Sequence, residues 1–267
     1  MAVPNLLPAL VVLLSITCYE CYPRGRILGG SPSVVSSRPY LVSLQVDGIH
    51  MCGGLLISDE WVLSAAHCKP DSVNKTLQAV LGTNSLTDPK KLVYVIDIQI
   101  MHPLYNKTTK QHDLLLLKLP QKVPLSKSVS PLPYQMEDIL IQPNTLCLVA
   151  GWGKIRRTGR KTDVLNEAMV PVISPEICNR RDYYHGEITA NMMCAGDNRR
   201  DSCEGDSGGP LICNGVAEAI VSSGSSVCGN LKRPGVYTRI YPYNVWIVDT
   251  MRNNTELTTP IPTAKSN

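Results

Sequence analysis

Cys203-Glu204-Gly205-Asp206-Ser207-Gly208-Gly209-Pro210 sets one serine among three glycines, beside two acids and a cysteine. Glycines at this density read as a loop whose backbone takes unusual angles, with the Ser207 hydroxyl exposed on it. A free hydroxyl is a weak nucleophile at neutral pH and needs a base that is itself held in place. Two upstream segments offer the missing groups: Ala65-Ala66-His67-Cys68 and His112-Asp113-Leu114-Leu115. An imidazole, a carboxylate and an alcohol can serve as base, orienting group and nucleophile. Taken singly, each also has a plain structural reading: a buried histidine, a solvated aspartate, a turn serine.

Working outward, the chain of 267 residues is long enough for one large all-β domain or two small ones. Short apolar runs such as Tyr40-Leu41-Val42-Ser43-Leu44-Gln45-Val46 and Val93-Tyr94-Val95-Ile96-Asp97-Ile98 alternate with glycine and proline. So do residues 113–119, 146–150 and Ala219-Ile220-Val221. Their length and β-branched content favour strands of a barrel or sandwich. Residues 243–251 carry Val245, Trp246 and Val248 at a spacing that predicts a terminal helix. Residues 253–267 are polar and read as a tail outside the fold.

At the other end, residues 6–16 are almost wholly apolar, so 1–17 read as a secretory signal, too short to span a bilayer. Residues 18–26 end in Pro23-Arg24-Gly25-Arg26 and suit a short propeptide. Ten cysteines on such a route predict disulfides. Asn74, Asn106 and Asn253 each begin a glycosylation acceptor pattern. The formal net charge of +4 does not by itself indicate nucleic acid. No phosphate-binding loop, metal-ligand cluster or membrane span is expected, and the pair Cys18 and Cys21 has no partners at metal spacing.

The motifs together resemble the chymotrypsin/trypsin family of serine proteases. Ile27-Leu28-Gly29-Gly30, Ala65-Ala66-His67-Cys68, Asp113-Leu114-Leu115-Leu116 and Gly205-Asp206-Ser207-Gly208-Gly209-Pro210 carry the resemblance. Gly151-Trp152-Gly153 and Pro234-Gly235-Val236-Tyr237 fit it as well. It implies an all-β fold of two six-stranded antiparallel β-barrels with a C-terminal helix, a protease domain over 27–252, and an active site in the cleft between the barrels. His67, Asp113 and Ser207 would be the catalytic residues, with the N–H groups of Gly205 and Ser207 as oxyanion hole. Cleavage after Arg26 by an activating protease would free the Ile27 amine to pair with Asp206. Asp201, six residues before Ser207, would form the base of a pocket for arginine or lysine, with Ser222, Ser223, Gly224 and Gly235 around it. The competing reading of Asp201 is an internal pair with Arg199 or Arg200. The resemblance implies disulfides Cys52–Cys68, Cys147–Cys213, Cys178–Cys194 and Cys203–Cys228. It also implies a monomer without cofactor. The family's calcium loop corresponds to 83–91, where Asp88 is the single acid, so no calcium requirement is expected.

Within the family, residues 23–30, 178–181, 198–203 and 222–230 are most similar to a complement protease. Most active relatives carry tryptophan where Ser223 stands. The narrower resemblance implies a protein substrate, factor B bound to the activated third complement component, and weak activity on short peptides. Its rivals are a broader trypsin- or kallikrein-like protease and a binding protein that kept the fold.

Overall fold

The computed structural model describes residues 27–72, 74–156 and 159–255. Residues 1–26, with the expected signal and propeptide, Cys18, Cys21 and Arg26, lie outside the described residues, as do 256–267. The first strands are β1 (Ser31–Pro32), β2 (Leu41–Val46), β3 (Ile49–Leu56), β4 (Trp61–Ser64), β5 (Leu77–Leu81), β6 (Leu92–Val95), β7 (Ile98–Met101) and β8 (Leu115–Lys118). There follow β9 (Leu146–Gly151), β10 (Asn166–Ile173), a one-turn helix α1 (Pro175–Cys178), β11 (Met192–Ala195), β12 (Pro210–Cys213), β13 (Val216–Ser223), β14 (Gly235–Arg239) and helix α2 (Asn244–Thr255).

Two antiparallel sheets result. The C-terminal one runs β10-β11-β14-β13-β12-β9 and closes through a β9–β10 ladder, a six-stranded barrel with the two-residue β1 added to β10. The N-terminal one runs β6-β5-β2-β3-β4-β8-β7. It counts seven segments because one run is broken at Ile96-Asp97: its first part, β6, pairs with β5 and its second, β7, with β8. Ile96 N–H still meets Leu77 O at 2.9 Å, in register with β5, and from Ile98 the chain pairs with β8 instead, so one run serves both edges of the sheet. All-β architecture with a C-terminal helix is therefore as expected, and the strand count of the first sheet differs for this local reason.

The strands are buried on their inner faces. Leu44, Leu55, Leu63, Leu81 and Leu116 fill the first sheet, and Val149, Val170, Leu211 and Tyr237 the second. Trp152, Ile212 and Ile220 join the first cluster from the second sheet, so the seam between the sheets is itself core. The terminal helix buries a different stripe from the one the sequence suggested. Ile247 is fully buried with Trp246 and Met251 against the core, while Val245 and Val248 face outward. The helix runs to Thr255, three residues into the stretch expected as a tail. Its end is held by Lys118, whose Nζ donates to Asn254 O at 2.7 Å; a cation there complements the unpaired carbonyls of a helix C-terminus.

All four implied disulfides are present: Cys52–Cys68, Cys147–Cys213, Cys178–Cys194 and Cys203–Cys228. Among the described residues no helix is long and apolar enough to cross a membrane.

Candidate functional site

Strand register brings the candidates together. Ser64, the last residue of β4, pairs with Leu115, the first of β8. His67 lies three residues beyond the end of β4 and Asp113 two residues before β8, so both project from the same end of one ladder. In the other sheet, β12 begins at Pro210 opposite Ile220 of β13, which puts Ser207 and Ser222 at the same end of a second ladder. Gly53 N–H donates to Ser207 O at 2.7 Å across the seam, and Cys68 Sγ lies 3.8 Å from the same oxygen. Ser207 is thereby set against the residue that follows His67.

Asp113 is fully buried and accepts three hydrogen bonds. His67 N–H reaches Oδ1 at 2.9 Å, His67 Nδ1 reaches Oδ2 at 2.8 Å, and Ser222 Oγ donates to Oδ2 at 2.6 Å. A carboxylate only accepts, so Nδ1 donates to it, which leaves Nε2 as the ring nitrogen free of Asp113. Before Asp113, His112 sits at φ +56°, with Tyr243 Oη 3.1 Å from its Nδ1 and the His102 ring stacked on it at 5.2 Å. These neighbours hold an unfavourable left-handed backbone beside the buried acid.

The loop carrying Ser207 is organised around Asp206. Its carboxylate is fully buried, accepts Gly153 N–H and Cys203 N–H at 2.9 Å each, and has no cationic partner in salt-bridge range among the described residues. Burial pushes its pKa up to about 7. A Cβ on Gly153 would lie 2.6 Å from this carboxylate, so only glycine lets the chain come so close. Ile27 is buried in the core of the second barrel, with Gly30 N–H on its carbonyl at 2.7 Å. Gly205 has φ +100°, and its carbonyl accepts from His50 Nε2 at 2.9 Å. The other His50 nitrogen meets Ser43 Oγ at 2.8 Å. Burial lowers the pKa of His50 to about 4, so the ring is neutral, with its proton on Nε2 and Nδ1 accepting. Nothing in the spacing of Ser43 and His50 singled them out.

Beside Ser207 opens a cavity of about 280 Å³, lined by Asp201, Ser207, Val221, Ser223, Gly224 and Ser226 among others. Asp201 is 2% exposed. Gly229 N–H donates to its Oδ2 at 2.8 Å, whereas Oδ1 has no hydrogen-bond partner among the described residues. Burial raises its pKa to about 7, against the pull of the nearby N–H groups of Gly229, Gly235 and Ser202. The internal pair weighed for it does not form with Arg200, which bonds to Asp197 at 2.8 Å. A Cβ on Gly235 would lie 2.9 Å from Oδ1, so that residue abuts the carboxylate. Ser222, expected among the pocket residues, turns its hydroxyl to Asp113 instead.

Elsewhere, Asn74, Asn106 and Asn253 are all exposed. In residues 83–91, Asp88 accepts Thr83 Oγ1 and Lys90 N–H, and Lys91 Nζ donates to Leu86 O, so an ammonium group already sits in the loop. Cys52, His67 and Cys68 cluster closely, but both sulfurs are spent in a disulfide.

The trypsin family model matches residues 27–247. The chain belongs to the trypsin family. It is 42% identical to trypsin-4 of Rattus norvegicus over 86% of this chain and 91% of that one. It is 37% identical to granzyme M of Homo sapiens over 83% and 88%. Among solved structures it is similar to neuropsin, a serine protease expressed in the limbic system of mouse brain, with 36% identity and a TM-score of 0.78, covering 84% of this chain and all of that one. This trypsin-family member is thus a serine protease, a hydrolase acting on protein substrates.

Proposed function

We propose that the protein is a secreted serine endopeptidase that cleaves after arginine or lysine once the chain is cut at Arg26, with 27–252 as its protease domain. One observation carries the reading: Ser207 and the buried, half-unpartnered Asp201 line a single cavity. In this reading Ser207 Oγ attacks the carbonyl carbon while His67 Nε2 takes its proton. The carbonyl electrons move to oxygen, where the N–H groups of Gly205 and Ser207 receive them. The intermediate collapses, His67 returns the proton to the departing amine, and water repeats the cycle to release the acid. Asp113, steadied by Ser222, keeps the proton on Nδ1 and stabilises the imidazolium. Asp201 Oδ1 takes the substrate's guanidinium or ammonium. Asp206 has no cation in salt-bridge range among the described residues, and the free Ile27 amine would supply one. The test is labelling by an arginine-like phosphonate after cleavage at Arg26. Labelling of the cut chain, and its loss in Ser207→Ala, support the reading; equal labelling of an uncleavable Arg26→Gln chain would overturn the activation step.

A narrower second reading is complement factor D, with factor B in complex with the activated third complement component as substrate. Ser223, lining the cavity where most relatives have tryptophan, favours it, because little apolar surface is left for a short peptide. A basic patch supports docking: Arg180 and Lys232 flank Tyr183 at 5.9 and 4.7 Å and both pair with Asp182. Factor D carries an arginine where this chain has Ser226, and trypsin-4 and granzyme M leave the complement role without support. Factor B cleaved equally fast with and without its partner would exclude this reading and leave the broader trypsin-like protease.

A further inference from the structure

In the peptidase reading, Gly205 N–H is one of the groups that receive the oxyanion. Yet a glycine at φ +100° has no side chain to hold its peptide in one orientation. Its neighbours must do so. Before it, Glu204 O accepts Lys154 N–H at 2.8 Å. Carbonyl and N–H point in opposite directions across a trans peptide, so this bond turns Gly205 N–H away from Lys154. After it, Gly205 O accepts from His50 Nε2 at 2.9 Å. What remains is the face where a side chain would stand. A Cβ there would lie 2.8 Å from Gly153 Cα and 3.1 Å from both Cδ and Cε of Lys161, so the stem of Lys161 fills the space that glycine leaves open.

Lys161 is fastened at both ends. Its main chain pairs with Lys154 in an isolated bridge, next to Thr162 N–H on Trp152 O at 3.1 Å. Two residues on, the Asp163 carboxylate accepts Ser85 Oγ at 2.6 Å and Thr87 N–H at 2.9 Å from the loop after β5. At the tip, Lys161 Nζ donates to His50 O at 3.1 Å and to Met51 O at 3.4 Å. His50 therefore receives the ammonium on its carbonyl and holds Gly205 O with its ring. Stem, ammonium, His50 and Gly205 close into one loop of contacts. Burial lowers the pKa of Lys161, while the carboxylates of Glu204 and Asp206 pull it back up.

Resting on the peptidase reading above, we propose that Lys161 is a positioning residue for the oxyanion hole: its stem packs against Gly205 and its ammonium ties that packing to His50. Lys161 acts through Gly205 and not on the substrate. Without it the Glu204–Gly205 peptide has room to rotate, and its N–H faces the oxyanion for less of the time. A neutral carbonyl gains little from that N–H, whereas the transition state depends on it, so the loss falls on kcat rather than KM. Losing an oxyanion donor outright costs about 10²- to 10³-fold, which bounds the effect from above.

The test uses the cleaved full-length protein as wild type, Lys161→Arg, Lys161→Met and Lys161→Ala. Each is measured for kcat and KM on an arginine amide and for affinity toward two inhibitors. Benzamidine fills the Asp201 cavity alone; an arginine aldehyde also bonds to Ser207 and puts an oxyanion in the hole. Lys161→Met keeps a straight stem without the charge, and its kcat should fall about three- to tenfold at unchanged KM. Lys161→Ala should lose more, and Lys161→Arg should recover most of the loss. Aldehyde affinity should fall by the same factor as kcat while benzamidine affinity holds, a split that a general loosening of the fold does not give. An unchanged kcat in Lys161→Ala, a change confined to KM, Lys161→Arg no better than Lys161→Ala, or both inhibitors weakening together would overturn the proposal. A wild type that neither binds the aldehyde nor takes the phosphonate label would instead sink the peptidase reading beneath it.

Discussion

Replacing Asp201 with asparagine separates the two consequences of burying a carboxylate. In the free protein this group is buried, one oxygen accepts Gly229 N–H and the other has no hydrogen-bond partner among the described residues. Its pKa stands at about 7 against an ordinary 3.8. At pH 8 the charge exists in both folded and unfolded chains, and keeping it in the fold costs on the order of 4 kcal/mol. The sign is that of a raised acid: its favourable contribution is complete below the unfolded pKa near 4 and is lost as pH climbs through about 7. Asparagine has no charge to desolvate and can still accept from Gly229. Asp201→Asn should raise the melting temperature at pH 8 by several degrees, with the gain fading toward pH 4. On the proposed reading, the same change removes the partner of the substrate cation. Truncating one side of a buried pair costs about 3–5 kcal/mol, or roughly 10²- to 10⁴-fold in kcat/KM on arginine amides. Calorimetry from pH 4 to 8, alongside kinetics on matched arginine and neutral substrates, reads both effects. A loss under about tenfold on arginine, or a lower melting temperature at pH 8, would refute the reasoning.

Ser222→Ala removes the shortest bond to Asp113 and should lower kcat about tenfold with KM unchanged, as a lost bond to a charged group predicts; steady-state kinetics decide it. Gly205→Ala forces a side chain to φ +100° and 2.8 Å from Gly153 Cα, so phosphonate labelling should be lost and thermal stability lowered. Chelation of calcium should leave the melting temperature where excess calcium leaves it, because Lys91 already holds Leu86 O in the loop.

The sequence exposed the chemistry more readily than the supports beneath it. His67, Asp113 and Ser207, the proposed base, orienting acid and nucleophile, were legible as candidates because those roles need these residue types in short motifs. The barrels were legible as apolar runs between breakers, but the split at Ile96-Asp97 was not, since a run that changes partner from β5 to β8 leaves no mark in residue type. Ser43 and His50 sit inside strands, far in sequence from the Gly205 carbonyl they hold, and only the fold makes them neighbours. For the same reason Ser222 reads as pocket lining from its place before Ser223, while its hydroxyl serves Asp113. On α2, periodicity gave the helix but not its inward stripe, because Val245 and Val248 fit a helical spacing as well as Ile247 and Met251 do.

The Ser207 alcohol rides on one sheet and the His67 imidazole on the other, so under the proposed mechanism turnover gauges how well the two halves are aligned. Ser222 to Asp113, His50 to Gly205 and Gly53 to Ser207 are the stitches that fix that alignment. Each is a single bond across the seam, whereas the strands behind them are locked by many. Dilute guanidinium should therefore silence hydrolysis while the far-ultraviolet dichroism is still that of the intact protein.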